Sequence, residues 1–217
     1  MKRILPLFSL ALLVFASAGS TVRAEDEGFT TLFNGKNLDG WIGDVDGYFV
    51  EDGKIVCDPK KGGNLYAADE YDNFILRFEF KLEKGANNGL AVRAPLKGHS
   101  SYDGMELQIL DNDAEVYKNI QPYQSHGSVY GVVAAKRGFL KPVGEWNKQE
   151  VIADGSKIKV TLNGEVIVDA DLKEATKDGT LDKKEHPGVK RESGYLGFLG
   201  HGTRVEFRNI RIKPLTK

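Results

Sequence analysis

The feature that most constrains the fold is a strict two-residue alternation of apolar and polar side chains. In the segment NFILRFEFKLE, every second position is apolar: Phe74, Leu76, Phe78, Phe80 and Leu82. Successive side chains of a strand point to opposite faces, so this period predicts a strand with one buried face and one wetted face. Nearly every other segment from residue 25 onward, including SVYGVVAA, also reads as a strand.

Turn signals divide this part of the chain into short strands. Three dipeptides suited to the positive φ angles of tight hairpins stand between apolar runs: Asp52-Gly53, Asp154-Gly155 and Asn163-Gly164. About ten to twelve antiparallel strands predict an all-β fold, a two-sheet antiparallel β-sandwich. If one sheet curves, its concave outer face would form a ligand-binding trough. The highly charged segment 173–193 is predicted to be a surface loop.

The N-terminus has the layout of a secretory signal. Lys2 and Arg3 precede the apolar run ILPLFSLALLVFA, and small residues surround a cleavage point before Glu25. The run is too short to span a membrane. We therefore expect residues 1–24 to be a signal peptide, residues 25–217 to be a single domain, and the protein to be exported to the bacterial periplasm or exterior. A buried N-terminal helix is the weaker alternative.

Charge and cysteine content exclude several classes. The whole chain has a formal charge of −1, and removing the three basic residues of segment 1–24 leaves −4. A mildly acidic surface gives no reason to expect nucleic acid or an anionic membrane as a partner. Cys57 is the single cysteine, so no disulfide can form within the chain. The oligomeric state is not specified by the sequence.

The segment YDGMELQILDND raises the question of a binding site. Its alternation turns Met105, Leu107 and Ile109 to one face and Glu106 and Gln108 to the other. Side chains two positions apart on a strand lie about 6.5–7 Å from each other along the chain. This polar pair is either a solvated outer face or the lining of a ligand-binding groove.

Four motifs, in order, resemble a known family. They are LFNGKNLDGW, YDGMELQILDN, GEWNKQEV and GHGTRVEFRNIRIKPL, and the resemblance runs from about Phe29 to Leu215. The chain resembles the 3-keto-disaccharide hydrolase domain family, first catalogued as a domain of unknown function. The resemblance implies a concanavalin A-like (lectin/glucanase) jelly roll, an exported bacterial protein and a carbohydrate or oligosaccharide substrate.

The activity that the resemblance implies is cleavage of glycosides whose sugar carries a ketone at carbon 3. The ketone acidifies the hydrogen on C2, so that a base can remove it, the enolate can expel the C1 substituent, and water can add. Such a site needs a base near C2 and a donor or cation beside the C3 oxygen. Two alternatives stay open: a carbohydrate-binding module without catalysis, and a conventional endo-β-glucanase-type glycosidase.

Four residues are candidates for catalysis. Glu106 is the candidate base, and Asp111 would join it only if a bulge near Leu110 reversed the direction of its side chain. His126 and His201 are candidates because an imidazole exchanges protons near neutral pH. His201 stands in the motif GHG, which is predicted to lie in the final hairpin. The run ELQILD departs from the E-x-D-x-x-E spacing of laminarinase-type enzymes, which disfavours a two-carboxylate retaining mechanism.

Five residues are candidates for binding substrate. Arg93 could bind an enolate oxygen or pair with Glu106, with a structural ion pair as its alternative. The amide of Gln108 can both donate to and accept from sugar hydroxyls. Tyr130 and Tyr102 offer flat rings for a pyranose. Arg208 alternates with apolar residues on a late strand and could point the same way as Glu106. His186, in the charged loop, is expected to be exposed.

No cofactor is predicted, and no metal site is convincing. The sequence contains no H-x-H, H-E-x-x-H or EF-hand spacing. The run Asp111 to Glu115 could supply oxygen ligands to Ca²⁺, but a polar turn is the simpler interpretation.

Overall fold

A computed structural model describes residues 27–216, so the predicted signal peptide lies outside the described residues. Thirteen strands are present in this range: β1 (Thr30–Thr31), β2 (Trp41–Gly43), β3 (Tyr48–Glu51), β4 (Lys54–Cys57), β5 (Gly63–Tyr71), β6 (Phe74–Leu82), β7 (Asn87–Ala94), β8 (Met105–Leu110), β9 (Trp146–Asp154), β10 (Lys157–Leu162), β11 (Glu165–Asp171), β12 (Gly194–Gly200) and β13 (Val205–Pro214). The two short helices are α1 (Ser100–Asp103) and α2 (Leu172–Thr176).

The strands form two antiparallel sheets that pack face to face. The larger sheet has the order β11-β10-β9-β6-β13-β4-β3, with β1 beside β13, and the smaller has the order β2-β5-β12-β7-β8. This arrangement confirms the predicted all-β, two-sheet sandwich. Strand β6 shows the predicted alternation, because its apolar residues are buried and the residues between them are partly exposed.

The core between the sheets is built from aromatic side chains. Phe198 of β12 stacks on Phe207 of β13 with ring centroids 3.7 Å apart, and Phe78 of β6 meets Phe198 at 5.8 Å. Trp41 stacks on the other side of this group, 5.9 Å from Phe198. Each buried aromatic ring contributes about 1.5–3 kcal/mol by leaving water, so these contacts fix the two sheets against each other.

The predicted hairpins are present, with one exception near the end of the chain. Asp52 joins β3 to β4 and Asn163 joins β10 to β11, both with positive φ. The motif GHG was predicted to lie in a final hairpin, but β12 and β13 belong to different sheets. His201 therefore lies in a crossover between sheets.

The segment SVYGVVAA was predicted to be a strand and is not one. It forms isolated bridges only, one between Val129 and Leu107 and one between Val129 and Val133. Its neighbours instead run along the free edge of β8: the Tyr130 N–H donates to the Glu106 carbonyl at 2.9 Å. This segment extends the smaller sheet locally and then leaves it as a loop. Within residues 27–216, no helix is long and apolar enough to cross a membrane.

Candidate functional site

A cavity of about 300 Å³ lies on the outer face of the smaller sheet, where β7 and β8 form its edge. Ligand sites in proteins start at about this size, so it suits a small ligand such as one sugar ring. The residues that line it come from both strands and from the loops above them: Asn87, Ser101, Tyr102, Glu106, Gln108, Leu110, Tyr117, Ile120, Gln124, Tyr130 and His201.

The floor of the cavity is open because the strand beside β8 carries small residues. In the pairing of β7 with β8, Ala91 lies opposite Glu106 and Gly89 lies opposite Gln108. A Cβ atom at Gly89 would overlap the Glu106 carboxylate. The absence of a side chain there lets the carboxylate lie flat on the sheet, with its neighbours too short to cover it.

Glu106 and His201 form the charged centre of the cavity. The Glu106 side chain is 8% exposed, and its Oε1 atom lies 3.6 Å from Nε2 of His201. That oxygen accepts no hydrogen bond from any residue that the structure describes. A buried carboxylate oxygen without a donor is costly, so this atom is poised to accept a proton or a ligand hydroxyl. The Glu106 carboxylate raises the pKa of His201 above the usual imidazole value.

Gln108 lies beside Glu106 on the same face of β8, as predicted. Its amide nitrogen donates to Oδ1 of Asn87 at 2.9 Å. This bond fixes the orientation of the carboxamide and leaves its oxygen as an acceptor for a ligand hydroxyl. Gln108 is thus placed to orient a polar ligand over the carboxylate.

Two tyrosines predicted as binding residues lie in the cavity wall. Tyr130 is held by its backbone bond to β8, and its hydroxyl accepts from the Gln124 amide at 3.3 Å. Tyr102 lies on α1, and its hydroxyl accepts from the Lys184 ammonium at 2.9 Å. The ring of Tyr102 lies 4.8 Å from that of His186. His186 is buried, which corrects the expectation that it is exposed.

Arg93 is not part of this cavity. Its guanidinium donates to the carbonyls of Asp72, Gly155 and Arg191 and to the Asn73 side chain, at 2.7–3.2 Å. Arg93 has φ of 50°, and the pairing of β12 with β7 shifts register at this level. The shift breaks the alternation that would have placed Arg93 on the same face as Ala91. The predicted pairing of Arg93 with Glu106 is therefore wrong.

His126 lies in the core and not at the site, which corrects its prediction as a catalytic residue. Its ring stacks on Phe80 at 5.0 Å, its Nδ1 accepts from the Leu110 N–H, and its Nε2 faces the Gln149 side chain at 3.0 Å. Burial lowers the pKa of His126 to about 4. A neutral imidazole with both nitrogens engaged serves to join β8 to the opposite sheet.

Asp111 also points away from the cavity. The bulge near Leu110 that Asp111 would need is absent, since β7 and β8 pair without a shift over the whole of β8. The Asp111 carboxylate accepts the N–H groups of Gly85 and Asp113 at 2.8 Å and 3.3 Å. It caps the turn between β6 and β7.

Arg208 lies on the other sheet, far in the fold from the cavity. Its Nε donates to Glu79 at 2.8 Å, and its guanidinium lies 3.9 Å over the ring of Trp146. The prediction had Arg208 pointing the same way as Glu106, but β13 belongs to the larger sheet. Arg208 stabilises that outer surface.

Sequence reasoning missed the loop residues of the wall. Ser101, Tyr117, Ile120 and Gln124 belong to segments without strand periodicity. Their one available signal was proximity in the chain to the polar pair on β8. Within residues 27–216, no group of three or more His, Cys, Asp or Glu side chains is arranged to hold a metal ion.

Comparison with known proteins identifies the family. The sequence model of a family described as a 3-keto-alpha-glucoside-1,2-lyase-like domain matches residues 28–213. The chain belongs to this family. This membership confirms the resemblance drawn from the four motifs, and the match takes in both sheets and every residue of the cavity.

Relatives of this 3-keto-alpha-glucoside-1,2-lyase-like domain include named proteins. A 3-keto-disaccharide hydrolase of Bacteroides thetaiotaomicron is 28% identical over 87% of this chain and 79% of its own length. A solved structure from Parabacteroides distasonis, provisionally named a glycosyl hydrolase, is 29% identical over 88% of this chain and 96% of that chain, with a TM-score of 0.74. These likenesses support a glycoside-hydrolase-like function with a sugar substrate.

A more distant structure supports the fold alone. A protein of unknown function from Bacillus subtilis with a galectin-like fold is 11% identical over 85% of this chain and 94% of that chain, with a TM-score of 0.52. The lectin-like sandwich is thus shared well beyond the family, and function must be argued from the cavity.

Proposed function

We propose that the protein cleaves 3-keto-glycosides in the cavity on the smaller sheet, with Glu106 as the base. The observation that carries the proposal is the buried Glu106 carboxylate, whose Oε1 atom has no hydrogen bond from a described residue and lies 3.6 Å from Nε2 of His201. Such a base is shielded from water, held in position by its strand, and close to His201, which can carry a positive charge.

The chemistry follows from these two groups. Glu106 removes the proton on C2, and the electron pair moves onto the C3 oxygen. Protonated His201 stabilises the enolate that forms, because a cation close to developing negative charge lowers the barrier. The enolate then collapses, forms the double bond between C1 and C2 and expels the C1 substituent. Addition of water to that double bond completes the hydrolysis.

The lining of the cavity argues against a two-carboxylate glycosidase. Of the described residues that line it, Glu106 is the one with a carboxylate. A retaining enzyme needs a second carboxyl group about 5–5.5 Å away, and Asp111, the nearest candidate in sequence, caps a turn instead. A mechanism that begins with removal of the C2 proton needs only one carboxylate.

The experiment that tests the proposal is incubation of the protein with a 3-keto-glucoside and with 3-keto-sucrose in D₂O, followed by NMR, with and without a chelator. Release of the C1 substituent with deuterium at C2 is the expected result. Release of reducing sugar from an unoxidised glucan would support a conventional glycosidase. Retained glycan binding without turnover of either keto-substrate would support a binding module and overturn the proposal.

The pH dependence should report on His201. Because the Glu106 carboxylate raises its pKa, His201 stays protonated to a higher pH than a free imidazole does. The cation is lost as pH rises through this raised pKa, so we expect kcat/KM to fall on the alkaline side. In His201→Gln the activity should be lower, by about 10²-fold, and this alkaline fall should disappear. Profiles from about pH 5 to about pH 9 check the prediction, and an unchanged alkaline limb in the variant would contradict it.

We also propose that the protein is exported and cleaved before Glu25, on the basis of the basic start and apolar run described above. Fractionation of expressing bacteria should place the protein in the periplasm or the medium. Mass spectrometry of the intact protein should give a mature chain that begins at Glu25. A cytoplasmic protein with residues 1–24 still attached would contradict the proposal.

A further inference from the structure

The cavity wall holds one further group that the proposed base and cation do not use, the phenol of Tyr102. The Lys184 ammonium donates to its oxygen at 2.9 Å. An ammonium group has donors and no acceptor, so the phenol oxygen accepts and the phenol hydrogen remains to be donated elsewhere. Tyr102 lines the cavity, where a bound substrate is an acceptor for that hydrogen.

The electrostatic surroundings of Lys184 agree with a hydrogen bond donated by its ammonium to the phenol oxygen. The hydrogen bond to Tyr102 raises the pKa of Lys184, and Asp182 and Tyr130 add to the effect. The ammonium therefore lies within electrostatic range of both tyrosines of the cavity wall. Lys184 is exposed, so water screens the electrostatic effect of its charge. Its hydrogen bond to Tyr102 still determines that the ammonium donates and that the phenol oxygen accepts.

A buried histidine lies behind the Tyr102 ring. Nδ1 of His186 faces the Ser101 carbonyl at 3.1 Å, and Nε2 faces the Asp182 carboxylate at 3.0 Å. Burial opposes the charge on Asp182, yet the bonds from His186 and from the Lys184 N–H lower its pKa overall. The two polar contacts fix the His186 ring, whose centroid lies 4.8 Å from that of Tyr102.

The loop that carries Lys184 and His186 is held in place by local contacts. Asp182 accepts from the Thr180 hydroxyl and from the Lys184 N–H, both at 3.0 Å, which shapes the turn that presents Lys184. Gly188 packs against Gly104 so closely that a Cβ atom would overlap the backbone at the end of α1. The loop and the helix that carries Tyr102 are therefore held as one unit.

We propose that Tyr102 is the proton donor to the leaving group, an assignment that rests on the proposed function. When the enolate expels the C1 substituent, the C1–O bond breaks and its electron pair goes to the departing oxygen. That oxygen takes the phenol hydrogen of Tyr102, which becomes a phenolate stabilised by its hydrogen bond from the Lys184 ammonium.

The same groups return to their starting states during hydration. The phenolate of Tyr102 takes a proton from the water that attacks C1, and the Glu106 carboxyl group, after exchange of its proton with solvent, protonates C2. The sum is one 3-keto-glycoside and one water converted to one 3-keto-sugar and one alcohol. No oxidant, reductant or other reactant is needed.

Two substrates with different leaving groups test the assignment. Methanol leaves a methyl 3-keto-glucoside only with a proton, whereas 4-nitrophenolate leaves its 3-keto-glucoside without one. Tyr102→Phe should lower kcat/KM for the methyl substrate by about 10²-fold or more, and for the 4-nitrophenyl substrate by about tenfold at most. In D₂O the variant should still exchange the C2 hydrogen of the methyl substrate without releasing methanol.

Two further variants sharpen the test. Lys184→Met, an exposed substitution that does not threaten folding, should show the same preference for the activated substrate to a smaller degree. Tyr130→Phe, the matched tyrosine of the wall, should affect both substrates by the same factor. An equal loss of kcat/KM on both substrates in Tyr102→Phe would overturn the assignment. So would a Tyr102→Phe variant that has lost both exchange of the C2 hydrogen and cleavage. Wild-type protein that neither exchanges nor cleaves would contradict the proposed function itself.

Discussion

Replacement of Glu106 by Gln should reduce kcat/KM for a 3-keto-glucoside by about 10³-fold. The variant keeps the size and shape of the side chain and removes the basic oxygen that lies 3.6 Å from Nε2 of His201. It should remain folded, because Oε1 has no hydrogen-bond donor among the described residues for the change to disturb. The loss should fall on kcat, since the binding groups Gln108 and Asn87 are untouched.

The matched control is Glu79→Gln. Glu79 is also a strand carboxylate, but it lies on the other sheet, where it pairs with Arg208. Its replacement should leave turnover within about twofold, since this partly exposed ion pair lies on the sheet that does not carry the cavity. Steady-state kinetics, thermal melting and deuterium incorporation at C2 together check the prediction. Unchanged turnover in Glu106→Gln would remove Glu106 as the base.

Replacement of Arg93 by Met should lower the free energy of unfolding by about 3 kcal/mol or more. The guanidinium is buried and satisfies the carbonyls of Asp72, Gly155 and Arg191 as well as the Asn73 side chain. Each acceptor left without a donor costs about 1–3 kcal/mol. Burial lowers the pKa of Arg93, so part of this cost is returned when the charge is removed.

Urea denaturation of Arg93→Met beside Arg208→Met measures the difference. Arg208 is a partly exposed arginine whose loss should cost about 1 kcal/mol or less. The KM of folded Arg93→Met for a 3-keto-glucoside should equal that of wild type. A stable Arg93→Met protein with a greatly raised KM would show instead that Arg93 binds substrate.

Local pattern predicted the fold and brought together three residues that line the cavity, Glu106, Gln108 and His201. The alternation in β6 and the hairpin dipeptides depend on residues adjacent in sequence, and the sandwich follows from them. Glu106 and Gln108 were found because they share a face of one regular strand. His201 was found through its motif, although the crossover that carries it was taken for a hairpin.

The failures have a common physical cause. The Arg93 side chain is not in the cavity because a register shift interrupts its strand, and no residue type in the segment predicts such a shift. His126 and Asp111 are engaged by partners distant in sequence, Gln149 and Gly85. His186 was expected in water because its loop is charged, yet Asp182 and α1 bury it. Long-range contacts decide these roles, and periodicity does not report them.

The glycine in the floor of the cavity has a consequence for how the protein could acquire new substrates. Gly89 cannot accept a larger residue without displacing the Glu106 carboxylate, so this part of the candidate site tolerates little variation. The side chains of Tyr117, Ile120 and Gln124 reach the cavity from segments outside the sheets. Laboratory evolution toward a different aglycone should therefore collect its changes at these three positions and leave the paired strands beneath as they are.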